Sequence, residues 1–290
     1  MTLPPDLPIV DHHCHLSPSG EGLEAARRFA RLGGTHLFLA TQQYGGATPR
    51  TLEAYRDQFE TTEALARKIH EEIGIIVYPV VAPYPVDLLP LVETLGLSEA
   101  VRLHEQALDL AGRLVEEQRV VALGEVGRPH FPTSTEIAEA ADELFRYALG
   151  VARDAGCAAV VHSEDLDAGG FRELAALAAQ TSFPVSRLVK HYVRSKIATS
   201  DSSGIAVSVL ARRELVVHAL SDPGTWFLET DFLDDPQRPG AVLDLTTVPR
   251  RAREIIDRSI SDSDRLRMPF VEAIARVYGF TPTVPERRTP

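Results

Sequence analysis

Eight short β-rich runs alternate with longer helical stretches along this 290-residue chain. Helix-length crossovers return a chain to the same edge of a sheet, so the eight runs predict parallel strands. Eight repeats in roughly 250 residues match a single-domain α/β fold, the (β/α)8 TIM barrel. A doubly wound open sheet is the alternative. The predicted strands are Ile9–His15, His36–Thr41, Gly74–Ala82, Val120–Val126, Ala158–Ser163, Arg187–Tyr192, Gly204–Leu210 and Trp226–Phe232.

Two of the intervening stretches have clear helical periodicity. In Leu52–Glu72 apolar side chains recur four residues apart among charges, and in Ile137–Ala155 the apolar side chains share one face. A capping box formed by Thr133 and Glu136 predicts the start of the second helix. We assign residues 1–280 to the barrel and the proline-containing residues 281–290 to a loose C-terminal tail.

The chain carries 41 acidic and 30 basic residues, for a net charge of -11. Such a chain has no diffuse positive field to hold nucleic acid or an anionic membrane, so nucleic acid is expected only as a substrate. Two cysteines are too few for a disulfide framework. No apolar run approaches the roughly 18 residues of a membrane span. We therefore expect a cytoplasmic protein with no membrane partner, and the oligomeric state is left open.

The first strand carries two closely spaced histidines, His13 and His15, within IVDHHCHL. Its period of two places both of them on one face with Asp11, and places His12 and Cys14 on the other face. Neutral imidazole is the commonest protein ligand of zinc and related metals. In a parallel barrel the active site forms where the strands end. The pair therefore predicts one part of a metal site.

Later strands carry polar residues at corresponding positions. They are Glu125 in strand four, His162 in strand five, His191 in strand six, and Glu229 and Asp231 in strand eight. Taken singly, each has an ordinary structural explanation, such as a hydrogen-bonded core histidine, a helix cap or a turn. Glu125, His162, His191 and Asp231 recur about one βα unit apart, which keeps them at one height of the barrel. Together with His13 and His15 they make four imidazoles and two carboxylates, a set that predicts two divalent ions sharing a bridging carboxylate.

Five motifs give this chain a resemblance to the TatD family of metal-dependent hydrolases, within the amidohydrolase superfamily. They are DHHCHL at Asp11–Leu16, GEVG at Gly124–Gly127, VVHSED at Val160–Asp165, KHY at Lys190–Tyr192 and LETD at Leu228–Asp231. The motifs occur in the order of the family and span most of the chain. The runs GEVGRPH and ETDFLDDPQRPGAVLDLTTVPRR are most similar to a TatD-related subgroup found mainly in archaea.

The resemblance implies a set of metal ligands. In it, one ion is held by His13, His15 and Asp231, the second by His162 and His191, and both by Glu125. We expect Asp11 and Glu229, one layer below the ligands, to orient imidazoles as hydrogen-bond acceptors. The expected ions are zinc, manganese or magnesium.

This chain departs from many TatD nucleases after strands five and six. An arginine and a Cys-Phe-Ser-Gly-like run are replaced here by SED and YVRS. We therefore look to other loops for substrate contacts and predict Arg128, His130, Arg194 and Arg238 for this role. A solvated surface charge is the commoner role for each of the three arginines.

The predicted function is metal-dependent hydrolysis, with Asp231 and Glu125 as catalytic residues. Two ions lower the pKa of a bridging water, and Asp231 orients the resulting hydroxide and accepts its proton. The resemblance favours a phosphodiester substrate, with deoxyribonuclease activity as one form. The acidic composition favours an alternative, hydrolysis of a small-molecule ester, lactone, amide or cyclic phosphodiester. A third alternative is a non-hydrolytic barrel that binds metal.

Overall fold

A barrel of parallel strands forms the centre of the computed structural model, which describes residues 3–235, 242–258, 260 and 263–285. The strands are β1 (Val10–His15), β2 (His36–Ala40), β3 (Ile76–Val81), β4 (Ala122–Gly127), β5 (Ala158–His162), β6 (Leu188–Val193), β7 (Ala206–Leu210), β8 (Trp226–Glu229) and β9 (Phe232–Leu233). Their order in the sheet is β8-β7-β6-β5-β4-β3-β2-β1-β9. This sequential order confirms the predicted (β/α)8 barrel, because a doubly wound sheet reverses its strand order at a switch point.

The barrel closes through the last predicted strand. Trp226–Phe232 does not form one strand, because β8 pairs with β7 whereas β9 pairs with β1. Thr230 and Asp231 separate the two pieces, and Asp231 has a φ of 50°, in the left-handed region. One segment therefore contacts both edges of the sheet.

Nine α-helices surround the strands in the described part of the chain. They are α1 (Gly22–Arg31), α2 (Leu52–Ile73), α3 (Leu88–Leu95), α4 (Leu97–Glu116), α5 (Thr135–Asp154), α6 (Ala168–Gln180), α7 (Arg213–Leu220), α8 (Thr247–Asp257) and α9 (Ala273–Tyr278). The helices predicted over Leu52–Glu72 and Ile137–Ala155 are confirmed as α2 and α5. The predicted capping residue was wrong by one position. The hydroxyl of Ser134 accepts a hydrogen bond from the backbone N–H of Ile137 at 3.3 Å and caps α5.

The connection between β6 and β7 differs from the predicted repeat. It contains a 3-10 turn, Thr199–Asp201, in place of an α-helix. The segment is rich in serine and threonine and ends in glycine, residues that favour turns over helix. The carboxylate of Asp222 holds the turn by accepting a hydrogen bond from the backbone N–H of Thr199 at 2.8 Å. A loop therefore covers this side of the barrel.

An irregularity in β1 changes the direction of its side chains. The register between β1 and β2 shifts between Asp11 and Cys14. Cys14 packs with Phe29 in the core cluster beneath α1 and α2. His12, predicted to share the face of Cys14, instead stacks on Phe227 with 3.8 Å between ring centroids. That prediction was wrong because a bulge breaks the strict alternation of a strand.

The chain after α9 has no helix or strand over residues 281–285, where Pro282 is buried. The rest of the predicted tail, residues 286–290, lies outside the described residues. Among the helices of the described ranges, none is both long enough and apolar enough to cross a membrane.

Candidate metal centre

Six of the predicted site residues meet at the carboxyl ends of the strands. They are His13 and His15 of β1, Glu125 of β4, His162 of β5, His191 of β6, and Asp231 after β8. The side chains are largely buried, since His13 and His191 are each 2% exposed and Glu125 is 6% exposed. Five segments therefore deliver imidazole and carboxylate groups to the end of the barrel where active sites form.

A first cluster combines Glu125 with the ligand pair of β1. Oε1 of Glu125 lies 3.1 Å from Nε2 of His13, which lies 3.2 Å from Nε2 of His15. Oδ1 of Asp231 lies 3.8 Å from Nε2 of His13 and 3.7 Å from Nε2 of His15. The ligand atoms of these four residues all lie within 4.8 Å of one another. That spacing allows them to share one ion.

A second cluster contains the same glutamate. Oε1 of Glu125 lies 2.8 Å from Nε2 of His191 and 3.6 Å from Nδ1 of His162. The two imidazole nitrogens lie 3.2 Å apart. The carboxylate of Glu125 therefore contacts both groups of histidines and lies where it could be shared by two ions.

The backbone around Asp231 is bound to β1 at two points. The N–H of Asp231 donates to the carbonyl of His13 at 3.0 Å, and the N–H of Asp234 donates to the carbonyl of His15 at 3.0 Å. The same hydrogen-bonded pairing therefore positions both histidines of the first cluster and the carboxylate that faces them.

Burial and mutual charge shift the pKa values of the site groups. Burial opposes the ionisation of Glu125, but the imidazoles of His191 and His162 hold the pKa of Glu125 well below its usual range. Burial raises the pKa of Asp231 well above its usual range, and neighbouring carboxylates add to this effect. Burial lowers the pKa of His15 to about 4. The imidazole of His15 is therefore neutral near pH 7, which is the form that binds metal.

The donor set fits divalent cations. Burial opposes protonation of His191, but the carboxylate of Glu125 raises the pKa of His191 to about 10, so positive charge is favoured beside this carboxylate. Four carboxylates lie together here, those of Asp11, Glu125, Glu229 and Asp231, and in the described part of the chain none is ion-paired with an arginine or lysine. A cation held by imidazole nitrogens and carboxylate oxygens would compensate this charge.

Asp11 and Glu229 were both predicted to orient imidazoles, and in the structure they contact different partners. Asp11 accepts a hydrogen bond from the backbone N–H of His13 at 3.3 Å. Glu229 accepts one from the backbone N–H of Tyr192 at 2.6 Å, and its Oε1 lies 3.7 Å from Nδ1 of His191. Asp11 therefore contacts the backbone of a candidate ligand, whereas Glu229 faces an imidazole.

The arginines predicted to contact substrate are engaged with carboxylates. Arg194 pairs with Asp165 at 2.8 Å. Arg128 pairs at 3.4, 3.1 and 3.0 Å with Asp142, Glu164 and Glu173. Arg238 lies outside the described residues. The two described arginines therefore hold loops at the rim of the barrel.

His130 reaches the site through another histidine. Its Nδ1 lies 2.8 Å from Nε2 of His162, and the hydroxyl of Tyr84 lies 3.3 Å from the same nitrogen. The ring of His130 is exposed and meets the ring of Phe131 edge-on, with centroids 5.0 Å apart. The structure therefore brings His130 to the rim of the candidate metal centre.

Sequence reasoning missed two residues that help to build the site. Thr230 donates its hydroxyl hydrogen to Asp11 at 2.6 Å. Asp234 accepts hydrogen bonds at 2.9, 2.8 and 2.7 Å from the backbone N–H groups of Ser17, Glu21 and Gly22. Both residues lie within three positions of Asp231 in the sequence. Closeness to a predicted ligand was therefore the signal that could have identified them.

Comparisons with known proteins agree with this geometry. A family model described as TatD related DNase matches residues 10–279. An uncharacterized protein of Methanocaldococcus jannaschii is 30% identical over 279 residues, which cover 94% of this chain and 96% of that protein.

Two solved structures from Escherichia coli share the fold. The TatD homolog YJJV has a TM-score of 0.64 at 18% identity, covering 94% of this chain and 98% of its own. A phosphotriesterase homology protein, complexed with phosphate in its active site, has a TM-score of 0.62 at 13% identity, covering 96% of this chain and 100% of its own. At these sequence identities the structural similarity shows only that the fold is shared, and it does not define the activity of this chain.

Fold and site together define a parallel (β/α)8 barrel with a candidate metal centre at the carboxyl ends of its strands. The chain belongs to the TatD-related DNase family, which confirms the family predicted from its motifs.

Proposed function

We propose that this protein is a hydrolase that uses two divalent ions to cleave phosphodiester bonds. The observation that carries the proposal is Oε1 of Glu125, which lies within hydrogen-bonding distance of a histidine from each cluster, at 3.1 and 2.8 Å. The proposed ligands are His13, His15 and Asp231 for one ion, His162 and His191 for the other, and Glu125 for both. When bound, zinc, manganese or magnesium ions lower the pKa of water and polarise a phosphoryl oxygen.

Asp231 transfers the proton in this proposal. Its side chain is 16% exposed and so reaches the mouth of the barrel, where a substrate arrives. The carboxylate of Asp231 accepts a proton from the attacking water and delivers it to the leaving oxygen in this proposal. Glu125, whose pKa is held low, stays ionised.

A phosphodiester substrate is supported by the family and by one structural relative. The family model is described as a DNase, and the phosphotriesterase homology protein holds phosphate in its active site. The second candidate is hydrolysis of a small ester, lactone, amide or cyclic phosphodiester. It is favoured by the ion pairs of Arg128 and Arg194, because their charges are already balanced by carboxylates of this chain.

Metal analysis combined with turnover tests the proposal. The purified protein should hold about two ions per chain and should hydrolyse bis(p-nitrophenyl) phosphate and single-stranded DNA when manganese or zinc is supplied. Asp231→Asn should lower turnover by roughly 10²–10⁴-fold with an unchanged circular dichroism spectrum. Asp154→Asn, at an exposed carboxylate on α5, is the matched control and should keep full activity. Near-full activity of Asp231→Asn would contradict the proposed role.

The salt dependence of turnover separates the two substrate classes. Binding of nucleic acid through several cationic contacts weakens steeply with added salt, whereas binding of a small neutral substrate hardly changes. DNA cleavage that falls steeply between about 50 and 200 mM salt would support the nuclease. Salt-independent cleavage of a small ester, with no cleavage of DNA, would support the second candidate.

A further inference from the structure

The motif GEVGRPH contains residues that the proposed function does not use, and the structure places them against β5. Gly127 has a φ of 128°, and a Cβ at this position would lie 2.2 Å from the carbonyl oxygen of His162. Glycine is therefore required for the close approach of the two strands. The backbone N–H of Arg128 donates to the same carbonyl at 3.0 Å. The loop after β4 is thus bound to the end of β5.

The remaining residues of the motif hold this loop in place. The guanidinium of Arg128 pairs with carboxylates from three segments, the loop after β5, α5 and α6. Pro129 is buried, and its ring restricts the backbone. The next residue is His130, whose Nδ1 lies 2.8 Å from Nε2 of His162. A constrained loop therefore places the imidazole of His130 against that of His162.

His162 presents its two ring nitrogens to different surroundings. Nδ1 faces Oε1 of Glu125 at 3.6 Å and Nε2 of His191 at 3.2 Å. Nε2 faces His130 and the hydroxyl of Tyr84. A neutral imidazole carries a proton on one nitrogen and a lone pair on the other. When Nε2 donates its proton to His130, the lone pair of Nδ1 points into the cluster.

We propose that His130 is a positioning residue that sets the tautomer and orientation of His162, so that the lone pair of Nδ1 faces Glu125 and His191. The inference rests on the proposed two-ion centre. Groups that hydrogen-bond to a metal-bound histidine change metal affinity about 10–100-fold. In this role His130 acts through His162, whereas the sequence predicted that His130 contacts the substrate directly.

Substitutions that keep or remove the acceptor at position 130 test this role. His130→Leu removes it, whereas His130→Asn retains an acceptor near the position of Nδ1. If the leucine variant does not fold, His130→Gln serves instead, because it moves the acceptor away from that position. His70→Leu is the matched control, since His70 is also exposed and its Nδ1 contacts the carbonyl of Ile75 at 3.0 Å before β3, at the opposite end of the barrel. The readout is the Zn²⁺ retained by each folded variant during titration with a chelator.

His130→Leu should release one of about two ions at a 10–100-fold lower chelator concentration than the wild type and should keep the other ion. His130→Asn and His70→Leu should retain both ions like the wild type. Unchanged retention in His130→Leu, or equal loss in His130→Asn, would overturn the proposal. A raised KM with both ions retained would also overturn it and would indicate direct substrate contact. If the wild type binds neither zinc, manganese nor magnesium, the proposed function fails. If the wild type binds two ions and His130→Leu retains both as firmly, only this inference fails.

Discussion

The carboxylate of Asp234 joins the end of β9 to the start of α1. Its removal should destabilise the fold by about 3 kcal/mol. It accepts hydrogen bonds at 2.9, 2.8 and 2.7 Å from three backbone N–H groups. Loss of a helix cap costs about 1 kcal/mol. The other N–H groups lose a charged acceptor at a position that is 6% exposed, and unsatisfied buried donors cost about 1–3 kcal/mol. Asp234→Ala should therefore fold with a clearly reduced free energy of unfolding.

A second variant perturbs the same contact from the other side. A Cβ at Gly20 would lie 2.2 Å from Oδ1 of Asp234, so Gly20→Ala should displace the carboxylate and give a similar loss. Thr51→Ala is the control, because Thr51 caps α2 with a single hydrogen bond, accepted from the N–H of Ala54 at 3.1 Å. This control should lose about 1 kcal/mol.

Urea unfolding followed by circular dichroism measures these differences. The measurement needs metal-free protein, since ions that bind the folded state add to its stability. Asp234→Ala should also lose turnover relative to Thr51→Ala, because the segment that carries Asp231 is held at Asp234. A loss in Asp234→Ala no larger than that in Thr51→Ala would refute the reasoning.

Two further predictions concern pH and metal. Burial raises the pKa of Asp87 from 3.8 to about 7, against hydrogen bonds from Gln43 and Tyr55, so the folded state binds this proton more tightly than the unfolded state. The stability of the wild type should therefore fall as pH rises from 3.8 to about 7. Asp87→Asn should be more stable than the wild type at about pH 8 and nearly equal to it at about pH 4. Equal urea midpoints of the two proteins at about pH 8 would contradict this prediction. Zinc at about 100 times its dissociation constant should stabilise the metal-free protein by about 2.7 kcal/mol. A Tm that zinc leaves unchanged would count against a site in the folded state.

The order of strands and helices could be predicted from the sequence because local patterns carry that information. Apolar runs bounded by turn residues mark the strands, and a period near 3.6 marks α2 and α5. The predictions fail where pairing with another segment decides the geometry. The register shift between β1 and β2 redirects His12, and the left-handed Asp231 divides the last strand in two.

The sequence by itself determined the family, the barrel and the set of imidazoles and carboxylates that the strands bring to one end, because each of these follows from the residues within single strands and helices. Only the tertiary structure decided which nitrogen of His162 faces Glu125 and what Asp234 binds. His130 is 32 residues from His162 in the chain, and Asp234 is 217 residues from Ser17. Hydrogen bonds act over a few ångströms between atoms that folding brings together, so separations of this kind leave no local pattern in the sequence.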